Sequence, residues 1–163
     1  MVILKNIKAI IFDLDGVLVS TDILHKDTLI RAVYDIALID TSSYPGISAK
    51  SMLSTKQKLK VIQGYYGFCD DTYEKILLQK DKLFFNGVKN LVVDENVIQC
   101  LTYIKSLKIK TAIASNSRHA NIDRILDITD LRKYINVVVS ADDVPNRKPA
   151  PDILFETYRR LVL

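Results

Sequence analysis

Two aspartates near the N-terminus, Asp13 and Asp15, have the residue types and the spacing to do chemistry together. They follow the apolar run 9–12, which predicts a strand buried on both faces of a parallel sheet. Side chains alternate along an extended segment, so the two carboxylates face the same way, and Gly16 lets the chain turn sharply after them. Such a pair suits Mg²⁺, or a nucleophile beside an acid or base, although a polar turn explains an isolated Asp-x-Asp-Gly equally well.

Hydroxyl, amide and ammonium groups follow two further predicted strands. The second predicted strand ends at Ser115, Asn116 and Ser117, and Lys148 comes shortly after the third. Ligands of open α/β sheets bind beyond the carboxyl ends of the strands, so we expect these groups to line one crevice with the aspartates. Hydroxyl and N–H groups at a helix start bind anions, and a lysine offsets the charge of a phosphoryl group. Phosphate chemistry is the natural interpretation.

The elements that must position these groups alternate between strands and helices. Segments with strand-like composition at 9–12, 109–114 and 135–139 are each followed by a segment with helical spacing. This order predicts an α/β protein with a three-layer, Rossmann-like parallel sheet and right-handed crossovers. Between the first and second strands, helical patterns follow one another without a strand signal, which indicates a helical insert. The expected domains are 1–19 with 89–163 for the core and 20–88 for the insert.

Local signals predict how the insert is built. Asp22 is expected to cap its first helix, and the second helix is expected to end near Gly64. The aromatic cluster of Tyr65, Tyr66 and Phe68 is interpreted as the core of the insert and not as a base-stacking platform.

Composition limits the classes of function. The 163 residues are 48% hydrophobic, which is enough for one domain with a small insert, and the net charge of +4 is scattered, which gives no support for nucleic-acid binding. Cys69 and Cys100 are too few for a disulfide framework or a metal cluster, and either could be a small apolar filler. Asp13 and Asp15 interrupt the first apolar run too early for a signal peptide or a membrane span, so a cytoplasmic protein is expected.

Three motifs resemble those of the haloacid dehalogenase-like superfamily, in the branch with a helical cap inserted after the first strand. Phe-Asp-Leu-Asp-Gly-Val-Leu at 12–18 is similar to the first motif, Ala-Ser-Asn-Ser at 114–117 to the second and Arg-Lys-Pro-Ala-Pro-Asp at 147–152 to the third. They occur in the family's order, and the match runs over the whole chain. The resemblance implies a Rossmann-like core with an α-helical cap.

The resemblance also implies a mechanism. Asp13 would attack the substrate phosphorus, and Asp15 would protonate the leaving oxygen and then activate water. The carboxylate of Asp13 and the backbone carbonyl of Asp15 would hold Mg²⁺, Ser115 and the amide of Asn116 would bind phosphoryl oxygens, and Lys148 would bridge nucleophile and phosphate. The expected activity is Mg²⁺-dependent hydrolysis of a small, sugar-like phosphomonoester. Dehalogenases of the superfamily lack the second aspartate.

A fourth motif of the superfamily, an acidic pair that completes the Mg²⁺ site, follows a further helix and strand, and this chain ends inside that helix. We therefore expect a truncated form, a third carboxylate from elsewhere, or an impaired metal site, and an inactive fragment or binding module stays as an alternative. Asp142 and Asp143 are not expected to be metal ligands. An exposed sheet edge would favour self-association, whereas a full-length form is expected to be monomeric.

Substrate choice is expected to depend on the insert. The position of His25 resembles that of a histidine in β-phosphoglucomutases, and Gly46-Ile47-Ser48 resembles their cap loop. A phosphosugar mutase therefore stays as an alternative function. The arginine of those mutases is replaced by Ala49, with Lys50 beside it, which argues against a faithful mutase. Lys80 could reach a substrate anion, although an exposed helix position is the commoner explanation for both His25 and Lys80.

Overall fold

The computed structural model describes residues 6–44, 47 and 53–161. In these residues the secondary structure alternates as the sequence predicts, with three strands, six α-helices and two short 3-10 turns at Val88–Asn90 and Arg132–Tyr134. The elements are β1 (Ala9–Phe12), α1 (Asp22–Ala37), α2 (Thr55–Tyr66), α3 (Asp70–Gly87), α4 (Glu95–Ser106), β2 (Lys110–Ala114), α5 (His119–Ile128), β3 (Val137–Val139) and α6 (Asp152–Leu161).

The strands form one parallel sheet in the order β1-β2-β3. Ala9 pairs with Lys110 at one end of the sheet, and Ala114 pairs with Val139 at the other. Residues of β2 after Lys110 are all buried, so this central strand is covered on both faces. The α/β, Rossmann-like parallel sheet is thereby confirmed. The expectation that β1 is buried on both faces was wrong, because in the described residues β1 pairs with β2 alone and is only half-buried.

The chain divides into two compact units. One consists of Met1–Ser20 with Leu91–Leu163 and holds the sheet, and the other is the helical stretch Thr21–Asn90. The expected boundaries at 20 and 88 lie within two residues of these. We call the two parts the core unit and the helical unit.

In the core unit, helices cover the sheet through their apolar sides. Asp94 caps α4 by accepting a hydrogen bond from the backbone N–H of Asn96 at 2.8 Å. Ala114, Val139 and Ile153 form a buried cluster at the carboxyl ends of β2 and β3. The strand ends therefore pack against a buried apolar cluster, and such packing keeps a site rigid.

The helical unit has its own core, in which α1 and α3 make most of the contacts. Asp22 is the first residue of α1 and not its cap, which is Thr21. The second helix passes through Gly64 and stops at Gly67, because Gly67 takes a left-handed conformation with φ of 76° that ends the helix. The fully buried members of this core are Leu29, Ala32, Val33, Ile47, Leu59, Ile62 and Ile76.

Some apolar residues lie outside the positions expected for them. Tyr65 and Tyr66 are exposed, so the interpretation of both as core residues was wrong, whereas Phe68 packs against the core of the helical unit. Cys69 and Cys100 are exposed free thiols and not buried fillers. Among the described residues, no helix is long and apolar enough to cross a membrane.

Candidate active site

Asp13 and Lys148 meet at the carboxyl end of the sheet. Asp13 directly follows β1, and its Oδ2 lies 2.9 Å from the Nζ of Lys148. The same Nζ donates a hydrogen bond to the carbonyl of Ala114, the last residue of β2, at 3.0 Å. The lysine therefore ties the ends of two strands together, yet 43% of the Asp13 side chain stays exposed. A group placed in this way is held in position and can still be reached by a ligand.

A tight turn after β1 brings the second aspartate back to the same edge. Gly16 has a φ of 75°, a conformation that a residue with a Cβ adopts only under strain, and its N–H donates to the carbonyl of Val19 at 2.8 Å. The backbone of Val19 in turn donates to Leu14, whose side chain is fully buried. Because Leu14 is fixed inside the core, Asp13 and Asp15 on either side of it are fixed as well.

Two serine hydroxyls hold the carboxylate of Asp15. The Oγ of Ser117 donates to its Oδ2 at 2.8 Å, and the Oγ of Ser115 reaches the same oxygen at 3.4 Å. Ser115 is fully buried and accepts a hydrogen bond from the backbone N–H of Ser117 at 3.0 Å. Ser117 was expected in the crevice as part of Ser-Asn-Ser, but no role was predicted for it. The signal for it was the alternation in Ser-Asn-Ser, which turns the first and third side chains the same way.

Asn116, between the two serines, contacts Lys148. Its Oδ1 accepts a hydrogen bond from the backbone N–H of Lys148 at 2.9 Å, and its Nδ2 donates to the backbone carbonyl of Lys148 at 3.1 Å. The backbone N–H of Asn116 itself donates to no atom in the part of the chain that the structure describes. The predicted role of this amide in binding phosphoryl oxygens is therefore compatible with the geometry and stays a prediction.

The loop after β3 is fastened by Asp143. Its carboxylate accepts hydrogen bonds from the backbone and hydroxyl of Ser140 and from Arg160, and it pairs with the Nε2 of His119 at 2.6 Å. Partial burial alone would raise the pKa of Asp143, but the bonds from Ser140 and Arg160 and the nearby His119 lower it to about 2. Asp142 accepts from the backbone N–H of His119. Both acids are thus held in structural contacts, and the expectation that neither binds metal stays a prediction.

Oxygen donors at this edge of the sheet fit Mg²⁺. Asp13 and Asp15 offer hard oxygen donors, and Mg²⁺ commonly binds through one or two carboxylates, substrate phosphate and retained water. Among the described residues, no group of three or more His, Cys, Asp or Glu side chains could hold a metal. The donors present therefore fit a largely hydrated Mg²⁺ and do not form a closed metal cage.

In the helical unit, two predicted substrate residues lie together. The Nδ1 of His25 is 3.2 Å from the Nζ of Lys80, and the His25 ring stacks on Phe84 with ring centroids 4.1 Å apart. The Lys80 ammonium lies 4.6 Å from the centre of the Phe84 ring. Only 3% of Lys80 is exposed and His25 is half-buried, so the expectation of exposed helix positions was wrong for both. The predicted residues Ser48 and Lys50 lie outside the described residues.

Comparison with known proteins identifies the family. The family model described as a haloacid dehalogenase-like hydrolase matches residues 7–162, so this chain belongs to that family. It is 27% identical over 157 residues to the phosphorylated carbohydrates phosphatase of Thermotoga maritima, covering 94% of this chain and 70% of that protein. It is 28% identical over 167 residues to a Caldanaerobacter subterraneus protein provisionally described as the pyrophosphatase PpaX, covering 96% of this chain and 68% of the relative.

Solved structures agree on the fold. A Thermotoga maritima structure provisionally described as a β-phosphoglucomutase has a TM-score of 0.72 at 25% identity, over 96% of this chain and 71% of that one. The structure of CbbY from Rhodobacter sphaeroides with phosphate has a TM-score of 0.75 at 20% identity, over 96% of this chain and 73% of that one. The chain is thus a haloacid dehalogenase-like hydrolase domain whose structural neighbours are phosphatases and β-phosphoglucomutase-like proteins.

Proposed function

We propose that this hydrolase removes the phosphoryl group from a small phosphorylated metabolite through an aspartyl-phosphate on Asp13. One observation carries the proposal: an exposed carboxylate at the end of β1 lies 2.9 Å from the ammonium group of Lys148. A second carboxylate, Asp15, follows on the same turn and is held by two hydroxyls. Nucleophile, charge stabiliser and acid/base group are the parts that phosphoryl transfer requires.

In the first step an oxygen of Asp13 attacks phosphorus, and the bond from phosphorus to the substrate oxygen breaks. A proton from Asp15 goes to that leaving oxygen, so an alcohol departs. Lys148 offsets the negative charge on the phosphoryl oxygens, and the backbone N–H of Asn116 binds the same oxygens. The Ser115 hydroxyl turns from its long 3.4 Å contact with Asp15 to bind them as well.

In the second step Asp15, now a carboxylate, takes a proton from water, and the water oxygen attacks phosphorus. The bond between phosphorus and Asp13 breaks, which releases inorganic phosphate and restores the free carboxylate. Members of the family generally use Mg²⁺, and here it would be held by the carboxylate of Asp13 and the backbone carbonyl of Asp15. When bound, Mg²⁺ would neutralise phosphoryl charge and favour attack by an anionic nucleophile.

For the substrate we propose a sugar-like phosphate, and for the helical unit the role of a cap that selects it. The relative from Thermotoga maritima is named for phosphorylated carbohydrates, and His25 and Lys80 offer a polar pair inside the helical unit. Ser48 and Lys50 stay predicted contributors. The His25–Lys80 pair also favours the alternative of a β-phosphoglucomutase-like mutase, in which the phosphoryl group returns from Asp13 to the sugar.

The proposal is tested with a generic aryl phosphate, with and without Mg²⁺. We expect turnover that depends on Mg²⁺ and falls at least about a thousandfold in Asp13→Asn, because the amide is a poor nucleophile. Asp142→Asn is the matched control, since it removes a carboxylate near the same sheet edge and should keep most of the activity. Equal rates for the unchanged protein and Asp13→Asn would overturn the proposal and favour a non-catalytic binding module.

Hydrolase and mutase are separated by supplying β-glucose 1-phosphate. A hydrolase releases inorganic phosphate and glucose, whereas a mutase produces glucose 6-phosphate. Release of free phosphate alone would exclude the mutase.

We propose a cytoplasmic protein, which agrees with the two exposed free thiols. Self-association through the edge of β1 is a prediction that gel filtration checks: a concentration-dependent shift supports it, and a monomer peak at high concentration contradicts it.

A further inference from the structure

The loop that carries Lys148 has little regular structure to hold it. No helix or strand is formed between β3 and α6, so the backbone of this loop depends on individual hydrogen bonds. In the described part of the chain, the backbone N–H and carbonyl of Lys148 are hydrogen-bonded only by the side chain of Asn116, at 2.9 and 3.1 Å. A single carboxamide, 32 residues away in sequence, therefore fixes this residue by its main chain.

The side-chain type matches this task. Asparagine is short and presents one acceptor and a donor group in one plane, which is the pattern needed to pair with both the N–H and the carbonyl of another residue. Serine and alanine cannot make both bonds, and aspartate loses the donor. The neighbours of Asn116 point elsewhere, because Ser115 and Ser117 contact Asp15. The Ser-Asn-Ser tripeptide thus holds the acid/base group with two side chains and the lysine with the third.

Fixing the backbone of Lys148 also determines where its ammonium group lies. The Nζ contacts Asp13 at 2.9 Å and the carbonyl of Ala114 at 3.0 Å, so a flexible side chain is held at both ends. A lysine released at its backbone would sample other positions, and an electrostatic stabiliser acts best when it needs no rearrangement during the reaction.

We propose that the side chain of Asn116 is a positioning residue, which acts through Lys148 and not through its own contact with substrate. The inference rests on the proposed phosphoryl transfer and adds a role that is distinct from phosphate binding by the Asn116 backbone. It predicts that the effect of removing the carboxamide depends on the presence of Lys148.

The test is a double-mutant cycle with Asn116→Ala, Lys148→Ala and the double variant, assayed with an aryl phosphate and Mg²⁺. We expect Asn116→Ala to lower kcat roughly tenfold with less than about a twofold change in KM, and to have almost no further effect once Lys148 is alanine. Asn146→Ala is the matched control, because Asn146 lies in the same loop and donates to Asp152 at 2.9 Å without touching the backbone of Lys148. Additive losses, or an equal loss in the control, would overturn the inference.

Binding of inorganic phosphate, measured by calorimetry, keeps the inference testable without turnover. We expect Asn116→Ala to weaken binding about fivefold when Lys148 is present and not when it is alanine. An active protein with additive losses contradicts only the role of Asn116. A protein without turnover contradicts the proposed function, and its phosphate affinities still decide whether Asn116 acts through Lys148.

Discussion

The core unit and the helical unit hold their lysines in different surroundings. Lys148 lies among loop backbones at the strand ends, and its partner Asp13 keeps 43% of its side chain exposed. Lys80 is 3% exposed, lies against His25 and the ring of Phe84, and pairs with the carboxylate of Asp81 at 3.8 Å. A lysine that must meet a phosphoryl group has to stay accessible, whereas a buried ammonium group needs neighbours that offset its desolvation. The two units therefore predict different effects when each lysine is replaced.

The largest effect is expected at the strand ends. Lys148→Ala should lower kcat with an aryl phosphate by a factor of about a thousand, because an ammonium group beside the transferred phosphoryl is lost. Steady-state kinetics with Mg²⁺ measure this, and Arg147→Ala, which removes the neighbouring exposed cation, should stay within about twofold of the unchanged protein. A similar loss in both variants would mean that net charge matters and not the position of Lys148.

The next largest effect concerns stability in the core unit. Asp143→Asn should reduce the free energy of unfolding by about 2 kcal/mol at pH 7, because Arg160 loses a charged partner in a mostly buried place. The folded pKa of about 2 lies below the unfolded value of about 3.9, so this stabilisation is complete above pH 4 and is lost as the pH falls towards 2. Urea unfolding at several pH values measures the difference.

Asp142→Asn serves as the control for that series. Asp142 is exposed, and in the described part of the chain its carboxylate accepts one hydrogen bond, from the backbone N–H of His119. Its replacement by Asn should therefore cost less than about 1 kcal/mol. A difference between Asp143→Asn and the unchanged protein that does not shrink below pH 4 would contradict the assigned ion pairs.

The contrast between Lys148 and Lys80 also shows which contacts could be predicted from the sequence. Asp13 and Lys148 were expected at one sheet edge because the carboxyl ends of parallel strands share an edge, and the structure brings them together. That rule concerns backbone topology, which hydrophobic periodicity reveals. The burial of Lys80 could not be predicted in this way, because it depends on contact with His25, 55 residues away.

Local details were harder to predict for a related reason. Gly64 and Gly67 are both plausible helix ends in sequence, and only the backbone conformation of Gly67 decides between them. Similarly, Asn116 and Ser117 were seen as parts of a motif, but their partners were fixed by the path of other loops. The sequence pattern therefore predicts which residues take part in chemistry more readily than it predicts which atoms those residues contact.

A smaller effect is expected in the helical unit. Lys80→Met keeps the length and apolar stem of the side chain, so the melting temperature should change by only a few degrees. If the helical unit selects the substrate, KM for a sugar phosphate should rise about tenfold while turnover of a small aryl phosphate stays nearly constant.

The exposed Lys82 provides the matched control. Lys82→Met should change neither the KM for the sugar phosphate nor the turnover of the aryl phosphate. Equal KM values for the unchanged protein and Lys80→Met with the sugar phosphate would show that Lys80 is only a core residue.

The smallest effect is expected at Ser117, and it tests whether the strand-end site depends on each of its hydrogen bonds. Ser117→Ala removes the 2.8 Å bond to Asp15, while Ser115 still reaches the same oxygen at 3.4 Å. Because one donor remains, kcat should fall only about fivefold with KM unchanged, and Ser117→Thr, which keeps the hydroxyl, should restore most of it. A loss in Ser117→Ala as large as that in Lys148→Ala would mean that Ser117 contacts the reacting atoms directly and does not merely orient Asp15.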